Sequence, residues 1–125
     1  MKNIFLIFLG GGIGSITRFL LSTFSQKIFK AGAFPVGTLS VNFLGCLTIG
    51  FLLPALAKSD SYLKFLLITG FCGGFTTFSA FSLENYGLWQ DQQYVLFGLN
   101  ILLSVVLGLA AVFCGVKLYD VFKSF

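Results

Sequence analysis

The sequence predicts an all-α membrane protein of four transmembrane helices, the third of them broken near mid-membrane. Three observations carry this. Hydrophobic residues make up 57% of the 125-residue chain and charged residues only 10%, whereas a soluble surface needs roughly a quarter or more charged residues. Apolar stretches cover about 4–28, 34–57, 62–89 and 94–116, each able to cross a hydrocarbon core of about 30 Å at 1.5 Å per residue. Within the third stretch, residues 70–81 read Gly-Phe-Cys-Gly-Gly-Phe-Thr-Thr-Phe-Ser-Ala-Phe. The short connectors, over 27–32, 58–61 and 90–93, leave no room for a second domain, so 1–125 reads as one unit.

The first stretch opens like a secretory leader, but no clean small-x-small cleavage site follows and three more spans come later, so it is read as a span. It carries Gly10, Gly11, Gly12 and Gly14. Gly10 and Gly14 form a small-xxx-small pair that lets another helix approach closely. As a dinucleotide fingerprint the cluster fails, because no strand precedes it. Arg18 lies one turn beyond Gly14. An arginine within a span calls for a partner or a watery vestibule, so it either attracts anions or caps a structural network.

The second stretch begins at Pro35, suited to a helix start because its missing N–H costs nothing there. Thr38, Asn42 and Gly45 fall on one face and suggest a polar groove. Asn42 has two N–H donors, fit either for interhelical hydrogen bonding or for an anion that has shed water. Pro54 is expected to kink or end the span.

The third stretch would be about 42 Å long if continuous, so it must tilt, break or project. Adjacent Gly73 and Gly74 weaken a helix by about 2 kcal/mol relative to alanine, and the hydroxyls of Thr76, Thr77 and Ser79 can replace lost backbone partners. A break at membrane depth is tolerated only where it is buried in protein or lines a cavity, which makes 70–81 the candidate site. Phe71, Phe75, Phe78 and Phe81 recur at helical spacing and are expected to share one face. They are either packing residues or rings that meet an anion with their positive edges. Glu84 reads as a solvated residue near the span end. In the fourth stretch, Asn100, Ser104 and Gly108 form a small and polar stripe, expected on a packed or pore-facing side.

Composition also excludes functions. There is no histidine and no CxxC, so Cys46, Cys72 and Cys114 read as small buried hydrophobes rather than zinc or redox ligands. Without histidine or paired carboxylates no acid–base constellation forms, and the protein is not expected to be an enzyme. The net charge of +4 resides in lysines near span ends, placed for lipid headgroups rather than nucleic acid. If the spans alternate, Lys2, Lys58, Lys64, Lys117 and Lys123 share one side, against Lys27 and Lys30 on the other. That bias favours cytoplasmic termini while leaving insertion in both orientations open.

Three motifs together resemble the Fluc fluoride-channel family, also called CrcB. They are Gly11-Gly12-Ile13-Gly14-Ser15-Ile16-Thr17-Arg18, Pro35-Val36-Gly37-Thr38-Leu39-Ser40-Val41-Asn42, and the stretch 70–81. They occur in the family's order over nearly the whole chain, and the third is the specific one. The resemblance implies an antiparallel, dual-topology homodimer in the cell membrane, with two pores near its interface that pass fluoride out of the cytoplasm. It implies that Phe78 and Phe81 contact the ion through ring edges and that Asn42 is the pore amide. Gly73 and Thr76 would offer backbone carbonyls to a structural sodium ion shared by both subunits. Arg18 matches the family's first-span arginine and Glu84 its acidic residue after the Phe pair. Beside this, the hydroxyls of Thr77, Ser79 and Ser104 are the further donors that could offset dehydration of fluoride.

Two departures stand out. Gly108 occupies a place where a hydroxyl is expected in the family's polar track, and the lysine bias exceeds what balanced dual topology requires. A heterodimer with an unlike partner chain therefore stays open. The competing reading, a small proton-coupled multidrug exporter, needs a membrane-embedded carboxylate; no Asp or Glu lies in the spans before the break.

Overall fold

In a computed structural model the chain is a bundle of long helices. The structure describes residues 1–58 and 61–125, the side chain of Ser61 excepted; the connector expected over 58–61 lies largely outside them. Helix α1 spans Lys2–Phe29 and α2 spans Val36–Ala55. Helix α3 covers 61–75; its Lys64–Cys72 section has wide π-type turns, and Gly73–Phe75 returns to α geometry. Helix α4 is Phe78–Gln90 and α5 is Tyr94–Lys123. Four helical stretches (Lys2–Phe29, Val36–Ala55, Lys64–Gln90 and Tyr94–Lys123) are long and apolar enough to cross a membrane.

The connections follow from local chemistry. Between α1 and α2 the chain reverses through Lys30 (φ 45°) and Gly32 (φ 62°). Gln26 clasps this turn: its Nε2 donates to the Phe34 carbonyl at 3.0 Å, and its Oε1 accepts from the Gly37 N–H at 3.0 Å. Pro54 lies in the last turn of α2, and the helix ends a residue later. The α4–α5 turn closes through Gln93 N–H to the Leu88 carbonyl at 2.9 Å, with Trp89 packed edge-on against Tyr94 and Phe97.

Glycines set the closest helix approaches. A Cβ on Gly14 would strike the Phe71 carbonyl, and one on Gly74 would strike Gly11, so α1 and α3 meet backbone to backbone. Gly50 against Val112 and Gly115 against Leu47 do the same for α2 and α5. This is the close packing that small residues permit where lipid offers no hydrophobic drive between helices. Outward positions are apolar: Phe8, Phe19, Val95 and Phe113 are exposed. Such a surface suits hydrocarbon rather than water. The buried interior includes Val41, Phe75, Leu88, Ala111 and Asn100.

The interruption falls elsewhere than the glycine pair suggests. Gly73 is helical (φ −63°, ψ −37°), whereas Thr76 (φ −82°, ψ 156°) and Thr77 (φ −150°, ψ 122°) are extended. Gly74 is there for contact: a side chain at it would collide with α1, so its low helix propensity serves packing rather than a break.

Candidate functional site

The site is built from Thr76 and Thr77. Thr76 stays tied to the turn before it, its N–H and Oγ1 both donating to the Cys72 carbonyl at 3.0 and 2.9 Å. Thr77 turns away. Its N–H donates to Asn42 Oδ1 at 2.8 Å, and its carbonyl accepts from Asn42 Nδ2 at 3.0 Å. One side-chain amide on α2 thus satisfies both backbone groups of a residue that no helix pairs. Thr77 Oγ1 then caps α4 by accepting from the Ala80 N–H at 3.2 Å, an N-cap arrangement.

These bonds free two carbonyls. In a continuous helix Gly73 would accept from the Thr77 N–H and Thr76 from the Ala80 N–H. Both donors are used elsewhere, so the carbonyls of Gly73 and Thr76 lose their helical partners. Both residues border a cavity of about 300 Å³, shared with Asn42, Cys46, Cys72 and Thr69.

A second cavity of about 300 Å³ lies beyond Asn42. It gathers Asn42, Thr77, Phe78, Phe81 and Ser104 from α2, the break, α4 and α5. Phe78 and Phe81 are adjacent, with ring centroids 5.6 Å apart. Ser104 Oγ reaches Asn100 Oδ1 at 3.5 Å, while the Asn100 Nδ2, 1% of whose residue surface is exposed, is buried without a partner. Gly108 also borders the cavity.

The four phenylalanines do not share one face. Phe71 and Phe75 stack at 5.5 Å before the break, with Phe75 5% exposed; Phe78, after it, is 78% exposed. Two extended residues between the pairs destroy the helical register that would align them.

Other expected site residues lie apart. Ser79 is exposed and meets Thr77 Oγ1 at 3.2 Å without bordering either cavity. Arg18 is half-buried on α1, outside both cavities, and makes no hydrogen bond or ion pair among the described residues. Glu84 is not a freely solvated end residue. It is half-buried, Oε1 accepts from Thr38 Oγ1 at 2.5 Å, and Oε2 is buried without a hydrogen-bond partner. Thr38 and Glu84 border a cleft of about 550 Å³ with Gln26 and Lys27. Thr38 lies one turn from Asn42 on α2, and Glu84 one turn from Phe81 on α4, so the cleft and the Phe cavity occupy successive levels of the same two helices.

Sequence reasoning placed Thr38 in the polar groove without seeing its partner, and read Cys46 as a buried hydrophobe. Cys46 is half-buried and borders both cavities; Cys114 is exposed. The Thr38–Asn42–Cys46 spacing of one residue per turn was the available signal for both.

Four apolar helices around small cavities that carry a few polar groups, one gathered at an interrupted helix, define a compact integral membrane protein. The chain belongs to the CrcB family: the model described as "CrcB-like protein, Camphor Resistance (CrcB)" matches residues 5–116. It is 46% identical over 125 residues to a protein of Azobacteroides pseudotrichonymphae, covering 98% of this chain and 99% of that one. It is 49% identical over 118 residues to one from Flavobacterium psychrophilum, covering 92% and 94%. A protein of a Nitratiruptor species is 45% identical over 117 residues, covering 93% and 91%. All three are named fluoride-specific ion channel FluC. The protein is thus a multi-pass protein of the cell membrane and not an enzyme.

Proposed function

We propose that the protein is a fluoride-selective channel through which cytoplasmic fluoride leaves the cell passively. The observation that carries this beyond the relatives' names is the Phe cavity, where Asn42, Thr77, Phe78, Phe81 and Ser104 converge. Fluoride is small, hard and strongly hydrated, so its lost water must be replaced by close donors. Asn42 spends one N–H on Thr77 and keeps a second. The Ser104 hydroxyl holds Asn100 only at the limit of hydrogen bonding and turns readily to an anion. Phe78 and Phe81 add ring edges, which attract an anion without a fixed cation that would trap it. Ser79 adds a hydroxyl beside Thr77, and Arg18 and the Glu84 cleft belong to the approaches.

The working unit in this reading is an antiparallel, dual-topology homodimer in the lipid bilayer, with the break near mid-membrane and a pore on each side of the interface. Gly73 is exposed and a Cβ there would meet nothing, which leaves room for a second copy against this residue. Carbonyl oxygens without helical donors are hard ligands suited to a hard cation. Gly73 and Thr76 would hold a structural sodium ion, and two chains would double the donor count. Bound there, the ion would supply positive charge between the two broken helices.

Among the described residues, the half-buried carboxylate of Glu84 is the feature that suits a proton-coupled exporter instead. Efflux from liposomes carrying the purified protein, followed with a fluoride electrode and with chloride as control, tests both. Rapid fluoride release without chloride release and without a proton gradient is expected. No release from well-folded homodimer overturns the proposal.

A further inference from the structure

We propose that Cys46 and Cys72 form a two-thiol site between α2 and α3 for a soft, thiophilic cation that favours linear coordination, such as Hg²⁺, Ag⁺ or Cu⁺. Both thiols are free and both border the carbonyl cavity of about 300 Å³. Cys72 is 2% exposed, while Cys46 is half-buried and also borders the Phe cavity. Cys46 therefore forms part of the partition between the two cavities, and its sulfur faces Gly108, where a Cβ would lie 3.7 Å away.

The levels of the two cysteines are fixed independently. Gly45, next to Cys46, would drive a Cβ into the methyl of Thr76. Thr76 is in turn bound twice to the Cys72 carbonyl. Cys46 and Cys72 thus line one cavity from two helices that are already locked together. Metal–sulfur bonds of about 2.3 Å would make a linear S–metal–S bridge about 4.6 Å long, so binding requires the two thiols to meet across the cavity at about that separation.

Donor chemistry selects the cation. Thiolates prefer soft metals, whereas carbonyl and hydroxyl oxygens prefer hard ones. The cavity carries both kinds, sulfur from Cys46 and Cys72 and oxygen from Gly73 and Thr76. No group of three or more His, Cys, Asp or Glu that could hold a metal occurs among the described residues, so a four-ligand zinc centre is not offered and two-coordinate binding remains. On binding Hg²⁺, each thiol releases its proton to water, two sulfur–mercury bonds form, and no group is oxidised or reduced.

The test uses full-length protein in detergent with Cys114→Ser, which removes the exposed thiol, and HgCl₂ as probe. Intact mass should rise by one mercury less two protons per chain, and both remaining thiols should become inert to maleimide. Retention after washing with a competing monothiol should fall at least tenfold in Cys46→Ser and in Cys72→Ser. Two mercury atoms per chain, maleimide labelling of Cys72 in the mercury-bound protein, or equal retention in either single variant would overturn the proposal. If Cys72→Ser fails to fold, Cys46→Ser decides alone. The readout is binding, so the outcome does not depend on whether the protein conducts fluoride.

Discussion

The side-chain amide of Asn42 pairs with both backbone groups of Thr77, accepting from its N–H at 2.8 Å and donating to its carbonyl at 3.0 Å. A single residue of α2 thereby does for the interrupted backbone what a neighbouring strand does in a sheet. Removing it leaves a buried donor and a buried acceptor unpaired, at a cost of order 1–3 kcal/mol each in water-based estimates, less in a membrane protein where other partners are found. Asn42→Ala is expected to destabilise the fold by about 2 kcal/mol and to lower fluoride efflux at least tenfold. Asn42→Asp, which keeps the acceptor but sets a carboxylate against the Thr77 carbonyl, should do no better. Thermal unfolding in detergent and electrode-monitored efflux check this; a fully stable Asn42→Ala protein would dismiss the bridging role.

Thr77 has a separable second duty as the cap of α4, through Oγ1 and the Ala80 N–H. Thr77→Val preserves shape but removes the acceptor, and should cost about 1 kcal/mol. Thr77→Ser should restore most of it. Hydrogen exchange read at Ala80 should be faster in the valine variant and near wild type in the serine variant.

Phe78 and Phe81 are adjacent rings on one cavity. Isoleucine keeps bulk and apolarity but has no quadrupole. Phe78→Ile and Phe81→Ile are each expected to cut fluoride efflux at least tenfold while the elution volume of the protein stays unchanged. Undiminished efflux in both single variants would remove ring edges from the mechanism.

Sodium dependence is expected if the proposed ion sits at the freed carbonyls of Gly73 and Thr76 in the proposed dimer. Exchanging sodium for a bulky organic cation should lower the midpoint of dimer dissociation by several degrees, because a ligand bound only to the assembled state stabilises it by mass action. Equal midpoints in the two media would argue against a cation at the break.

The four apolar helices and their ability to cross a membrane were legible in the sequence because they rest on runs of consecutive apolar residues. The same holds for Gly10 and Gly14 as a contact stripe and for the neighbouring rings of Phe78 and Phe81. The interruption was legible as a region but not as a position. Propensity pointed to Gly73 and Gly74, yet helical geometry holds at Gly73, and Gly74 gives α1 room; the chain departs where Asn42 offers Thr77 another partner. Glu84 looked solvated because its sequence neighbours lie near a span end; the hydroxyl of Thr38, 46 positions earlier, donates to its carboxylate.

What the sequence by itself determined was the set of helices and the chemistry each carries, since hydropathy and spacing act over a few neighbouring residues. What only the tertiary structure decided was which polar groups meet. It brought Asn42, Thr77, Phe81 and Ser104 to one cavity, turned Ser79 outward, left Arg18 without a partner among the described residues, and set Cys46 and Cys72 on a common wall. The physical reason is that a backbone group leaving a helix must find its hydrogen bond somewhere, and for Thr77 that partner lies 35 residues away in the chain.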